Sequence, residues 1–308
     1  MTVARATPVL DRPVLGITLM LGFCLLAPLA DGLAKLATAT VPVVLIVAIR
    51  FAAQMLVLTP LALVTRRPLR LDADVLRATA WRTVLHVTAI AALFAALMQM
   101  PLAEALAIVF VQPFLMVLIL WAFAIDTVGP RRLAACAVGF GGSLMVIQPA
   151  FVMAGWVVLL PLYTAGAFTA FILITRSIAK RADPIVLQAV SGMMACVVLF
   201  PAMALGAFMG WPVLAPVMPG ASDWLLLALI AATGTLAHLL MTWSLRFAPA
   251  ATLAPIQYVE LPFIVLVGWW LFREIPGPLV AAGIGLILCA GLYIVARERA
   301  ADRTAAGG

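Results

Sequence analysis

Residues 101–130, PLAEALAIVFVQPFLMVLILWAFAIDTVGP, and residues 249–278, PAATLAPIQYVELPFIVLVGWWLFREIPGP, write one pattern twice. At an offset of 148, Pro101 meets Pro249, Gln112 meets Glu260, Trp121 meets Trp269 and Asp126 meets Glu274. Gly129-Pro130 meets Gly277-Pro278, while Pro113 and Pro262 miss by one position. The match covers residues 98–147 and 246–295. Earlier segments agree more weakly, at an offset near 141, where Lys35 meets Arg176 and Pro60 meets Pro201. Self-similarity at a fixed offset predicts a duplicated architecture.

Composition decides the solvent. Of 308 residues, 66% are hydrophobic and 10% charged, with a mean hydropathy of +1.20. A soluble chain of this length could not cover such a surface. A bilayer core about 30 Å thick needs roughly 20 apolar residues per helix. Windows of that size predict ten spans: 13–37, 42–64, 83–100, 102–124, 131–149, 154–176, 184–209, 222–245, 249–272 and 277–296. The third is the shortest and begins beside Arg82 and His86. Ala37-x-Ala39 resembles a signal-peptidase site, but cleavage there would remove a helix that the repeat requires.

The fold class is therefore an all-α polytopic membrane protein. Residues 1–150 form a first five-helix repeat, 151–297 a second, and 298–308 a tail. An odd number of helices per half inverts the second repeat in the membrane. Inverted repeats around a central cavity are the geometry of alternating access.

Basic residues orient the chain. With a cytoplasmic N-terminus, the inner segments hold 16 of the 19 Lys and Arg. Lys35 and Arg273 fall toward the outside, and Arg50 lies within a helix. Both termini are then cytoplasmic. The net charge of +7 sits in short loops without interleaved aromatics, which argues against nucleic acid. Cys24, Cys136, Cys196 and Cys289 lie in apolar runs without CxxC spacing, so they read as packing residues.

Ionisable residues at bilayer depth need a partner or a wet cavity. Asp31 and Arg50 lie about equally far from the turn near Thr40–Pro42, roughly 12–14 Å below the outer surface. They are expected to pair, either as a staple of the first hairpin or as cavity wall or outer gate. Lys35 follows Asp31 by four residues on the same helix face and would snorkel to the interface. Glu260 and Gln112 fall near the midplane beside Pro262 and Pro113, with Gln257, Tyr258 and Pro255 close by. Proline-broken backbone at this depth is tolerated where a cavity or packed neighbours satisfy it. A carboxylate, two amides and a phenol can replace the water of a polar solute, and Glu260 could carry a coupling proton.

Weaker candidates have structural readings. His238 is expected as a satisfied core histidine, His86 as interfacial, and Glu104 as a first-turn acid facing the helix dipole. Asp126 and Glu274 are expected to cap their helices, and Tyr163 to pack.

The blocks at 101–147 and 248–295 resemble the EamA domain of the drug/metabolite transporter superfamily. The shared pattern is a Pro with small residues opening a helix, a mid-helix Pro, an acid at the next loop and a Gly-rich final helix. The resemblance spans about residues 13–297; Asp126 stands where the family usually has Glu, with the carboxylate kept. It implies a ten-helix carrier of a small organic metabolite in a bacterial-type inner membrane, with a central cavity between the halves, without naming the substrate.

The chain carries no HExxH, GxSxG or phosphate-loop motif, and its two histidines make no metal site. It is expected to be a secondary transporter, not an enzyme, with no metal or cofactor and with a coupling proton or ion as a candidate partner. Its partners are the bilayer and a small-molecule substrate; no oligomeric state is assigned. Asp31, Arg50, Gln112, Gln257, Tyr258 and Glu260 would bind that substrate. The mixture of charges favours an amino acid or similar zwitterion, and a flavin, another vitamin or a nucleoside-like compound is the alternative. Rival classes are a membrane enzyme acting on lipid-linked substrates and a non-transporting receptor.

Overall fold

The structure is a computed structural model that describes residues 12–122, 130–211, 213–214, 217–248 and 250–306. Asp126, Gly129 and Pro249 lie outside the described residues, as do the side chains of Trp121, Arg131, Arg132 and Pro255.

Every described element is helical. The chain runs through α1 (Pro13–Ala37), α2 (Val43–Val64), α3 (Ala73–Leu97), α4 (Leu102–Val109), α5 (Gln112–Ala122) and α6 (Pro130–Ala154). It continues through α7 (Leu159–Ile178), α8 (Pro184–Met209), α9 (Ala221–Phe247), α10 (Ala250–Leu253), α11 (Glu260–Phe272) and α12 (Pro278–Ala306). Among the described residues, seven helical stretches are long and apolar enough to cross a membrane. One of them, Ala137–Ile178, is 42 residues long, and two shorter apolar stretches, Ile256–Phe272 and Pro278–Tyr293, follow.

These helices are apolar on most faces, as expected where the outer face meets lipid instead of water. Leu56, Val57, Val64, Val197, Val198 and Phe208 all point outward. Trp156, Trp211, Trp224 and Trp270 are exposed near helix ends, the position that suits an aromatic ring at a membrane interface.

Local breaks follow the sequence. The span expected at 102–124 is divided at Phe110 and Val111, because Pro113 has no N–H to give the carbonyl of Val109. The span expected at 249–272 is divided twice, with the tighter 3-10 turn Ala254–Val259 between α10 and α11. Pro262 likewise cannot donate to Tyr258. Between α6 and α7 the chain turns at Gly155, whose φ of +58° is one that residues with a Cβ avoid. At the end of α8, Gly210 is left-handed and Trp211 N–H bonds the Gly206 carbonyl at 2.8 Å, satisfying an orphan acceptor of the last turn.

The third span departs from expectation: α3 begins at Ala73, ten residues before the expected start. Arg82 and His86 therefore lie well inside the helix, and both are fully buried. His86 is not interfacial, and Arg82 is not a loop charge.

The principal helix contacts are α1 with α9, α2 with α8, α3 with α7, and α6 with α12; α4 touches α11 less extensively. Glycines permit the closest approaches. A Cβ on Gly142 would meet the Gly283 carbonyl oxygen at 2.8 Å, and one on Gly283 would meet that of Gly142 at 2.7 Å. There α6 and α12 touch backbone to backbone.

Ion pairs bind the two ends of the bundle. At one end, Asp183 pairs with Arg67 and with Arg246 (3.9 Å), and Arg181 pairs with Asp74 at 2.5 Å. At the other end, Arg273 ends α11 in a left-handed conformation (φ 57°). Glu274 then accepts from Lys35 Nζ at 2.5 Å and from the Leu102 N–H at 2.8 Å. Lys35 Nζ also donates to the Met100 carbonyl at 2.8 Å. Lys35 does not snorkel freely and Glu274 does not merely cap α11; together they tie α1 to the start of α4.

Candidate functional site: a cavity between the helix pairs

Side chains from α1, α2, α3, α4, α5, α7, α9, α11 and the 3-10 turn close around one cavity. It leaves about 70 Å³ for water centres, room for several molecules. Asp31, Arg50, Gln112, Gln257 and Glu260 all face it. Five of the six expected residues thus meet, although they come from elements up to 229 positions apart.

Tyr258 is the exception. It does not line the cavity; its ring lies over Gly291, where an added Cβ would meet ring carbons at 2.1–2.4 Å. Phe110 and Phe114 flank it, with centroids 6.1 and 5.9 Å away. The 3-10 turn is the cause: three residues per turn aim neighbouring side chains differently from an α-helix. Gln257 is turned inward and Tyr258 outward. Tyr163 also misses the cavity; it is half-exposed, and its hydroxyl is 2.7 Å from Thr88 Oγ1.

The backbone breaks place the two midplane candidates. Gln112 opens α5 and Glu260 opens α11. The amide and the carboxylate thus sit at half-helix N-termini, where a negative group is favoured. Gln112 Nε2 donates to Gln257 Oε1 at 3.3 Å, which links the two broken segments. Asp31 and Glu260 face the cavity, and no hydrogen bond or ion pair holds either carboxylate among the described residues.

Asp31 and Arg50 do not form an ion pair within 4.0 Å. The reason is a seat for the guanidinium on α9. Arg50 Nη2 is 3.0 Å from His238 Nδ1 and 3.5 Å from the Gly234 carbonyl. Gly234 creates the space: a Cβ there would stand 2.5 Å from Arg50 Nε. His238 Nδ1 is equally 3.0 Å from the Gly234 carbonyl, so it accepts from Arg50 in one tautomer and donates to Gly234 in the other, and the remaining ring nitrogen is Nε2. That Nε2 has no protein partner. His238 is therefore a wall residue and not a fully satisfied core histidine. Below it Gln54 Nε2 donates to the Gln188 carbonyl at 2.6 Å, and Gln188 Nε2 to Thr242 at 3.3 Å.

Apolar walls complete the cavity, with Phe23 from α1, Phe110 from the break between α4 and α5, and Phe168 from α7. Sequence reasoning missed these rings and missed His238 as a wall residue. One usable signal was its place nine residues inside α9, too deep for an interface. The arrangement offers two carboxylate acceptors, amide groups of both kinds, guanidinium donors and aromatic faces. It suits a solute that is flat, polar at its edges and rich in hydroxyls or carbonyls.

Comparison with known proteins agrees with this architecture. The profile of the EamA-like transporter family matches residues 155–296. A riboflavin transporter of Rhizobium johnstonii is 31% identical over 230 residues, covering 72% of this chain and 71% of that protein. A riboflavin transporter of Brucella anthropi is 28% identical over 210 residues, covering 68% and 73%. One crystal structure superposes with a TM-score of 0.65 at 21% identity, covering 92% of this chain and 96% of the other. That likeness concerns the fold alone.

Proposed function

The chain belongs to the EamA-like transporter family, and from that premise we propose that it carries riboflavin or a closely similar vitamin across the membrane. Transport proceeds by alternating access between two inverted five-helix halves, residues 1–150 and 151–297, in a bacterial-type inner membrane with cytoplasmic termini. Ten spans follow if Ala137–Ile178 is two helices joined at Gly155 and the two shorter apolar stretches also cross.

The helix pairing supports inversion. Numbering spans within each half, the first meets the third of the other half, and the second, fourth and fifth meet their own counterparts. That set of contacts is unchanged when the halves are exchanged, as a two-fold axis in the membrane plane requires. Ion pairs at both ends fit a closed intermediate, in which a tricyclic ring enters only after one end opens.

The cavity chemistry carries the flavin reading. A flavin offers a flat ring for Phe23, Phe110 and Phe168, a carbonyl edge for the donors of Arg50, and polar ring atoms for His238. Its hydroxyl chain can donate to Asp31 and Glu260. The names of the two relatives point the same way. A zwitterion such as an amino acid is the second reading, favoured by the placing of Arg50 in one cavity with two unpaired acids.

The test is flux into proteoliposomes holding the purified protein, followed by flavin fluorescence. Saturable riboflavin uptake is expected, inhibited by unlabelled flavins and not by amino acids or nucleosides. Saturable amino-acid flux without flavin flux would replace the first reading by the second. Flux of none of these would reject both.

A further inference from the structure

Arg82 is a buried cation that the cavity does not use. Its side chain is wholly enclosed. Nε donates to Thr175 Oγ1 at 3.0 Å and Nη1 to Ser191 Oγ at 3.2 Å, while Nη2 has no protein partner. The guanidinium lies 4.9 Å from the centre of the Phe171 ring. One helical turn on, both ring nitrogens of His86 are also without partners. His86 stacks on Phe171 with centroids 4.5 Å apart and stands 4.3 Å from His238. A column of rings thus leads from Arg50 through His238, His86 and Phe171 to Arg82.

No carboxylate neutralises Arg82 among the described residues. The acids at that end, Asp72, Asp74 and Asp183, are held by Arg181, Arg67 and Arg246. Two hydroxyls would serve a neutral amide equally well, and a buried charge without a counter-charge is costly. The cation therefore needs a reason beyond joining α3 to α7 and α8.

The repeat supplies one. The offset of 141 that aligns the early helices places Ser191 opposite Arg50. Arg50 reaches from α2 to α9, and Arg82 reaches from α3 to Ser191 on α8. Exchanging the halves turns α2 into α8 and α3 into α9, so the two crossings occupy equivalent places. One lies on the outer side of the midplane and the other on the inner side.

We propose that Arg82, Thr175, Ser191 and His86 form a second substrate station on the cytoplasmic side of the cavity. It accepts the planar carbonyl edge of the solute when the inner ends of α3, α7, α8 and α9 part. Arg50 and His238 hold that edge while the path faces outward, and Arg82 with His86 takes it over as the path turns inward. The station rests on the alternating-access reading above and extends it to a position outside the present cavity.

Sided flux measurements test this. Riboflavin flux is measured from each face in proteoliposomes whose protein orientation is fixed by one-sided proteolysis. Arg82→Gln is expected to raise the half-saturating concentration at the inner face about tenfold, near the value of one charge-assisted hydrogen bond. The outer-face value should stay within about twofold, as one-sided contact requires. Arg82→Lys should recover part of the inner-face loss. His86→Phe keeps the ring stack, removes the nitrogens and should reproduce the one-sided effect if Arg82→Gln does not fold. Equal changes on both faces, or no change in folded protein, would overturn the second station. Wild-type protein that moves no flavin from either face would instead overturn the transport reading, and the station with it.

Discussion

Arg50→Met should lower riboflavin flux at subsaturating concentration by roughly a hundredfold in protein that still folds. The guanidinium is the cation that faces the two unpaired acids in the cavity, and among the described residues its hydrogen bonds to the protein run through Nη2. Hydrogen bonds to a charged group contribute about 1.5–3 kcal/mol each. Losing one of them to the solute corresponds to about 10–150-fold in the flux ratio. Arg50→Lys should recover only part, because an ammonium keeps the charge and loses the fork. Gly234→Ala makes an independent approach to the same seat. Its methyl would meet Arg50 Nε at 2.5 Å and displace the guanidinium, giving a loss of about tenfold through weaker binding. The measurement is initial flux against concentration, normalised to monodisperse protein. Arg50→Met flux within about twofold of wild type would remove Arg50 from the binding site.

The largest expected effect on stability comes from Gly142→Val. An added Cβ meets the carbonyl oxygen of Gly283 at 2.8 Å and the N atom of Ile287 at 3.1 Å. Backbone atoms of a packed helix cannot rotate aside as a side chain can, so α6 and α12 must separate. Overpacking of this kind costs about 1–3 kcal/mol. A melting temperature lower by roughly 4–10 °C is expected, read by tryptophan fluorescence in detergent. Gly141 is the internal control. A Cβ there has no neighbour within 4 Å, so Gly141→Val should lower the melting temperature by no more than about 2 °C. Equal melting of the two variants would show that the crossing is looser than the structure has it.

Much of this site was legible because a polar residue in an apolar run stands out. Asp31, Arg50, Gln112, Gln257 and Glu260 each interrupt a hydrophobic segment, and all five face one cavity. The broken spans were readable for the same kind of reason, since Pro113 and Pro262 remove backbone donors whatever surrounds them. Partners were harder to read than positions. Asp31 was the local partner for Lys35, four residues away, yet the lysine reaches Glu274, 239 positions along the chain. Arg50 likewise prefers a seat on α9 that depends on the missing side chain of Gly234. Arg82 and His86 were read as edge residues because Asp74 and Arg77 keep the preceding stretch, ADVLRATAW, out of an apolar window. Only the longer α3, packed on α7 and α8, buries them. Tyr258 was misplaced because hydropathy does not distinguish a 3-10 turn from an α-helix.

The depth of the charged residues has an electrical consequence. Asp31 and Glu260 lie within the spanning region with Arg50 and Arg82, and Lys35 is matched by Glu274. With these six groups ionised, their charges sum to zero. Moving one elementary charge through the membrane field involves about 2.3 kcal/mol per 100 mV, but a neutral core with a neutral vitamin moves none. Riboflavin flux should then be the same with and without an imposed potassium diffusion potential. A flux that follows the imposed voltage would show that the core carries an unbalanced charge as it turns.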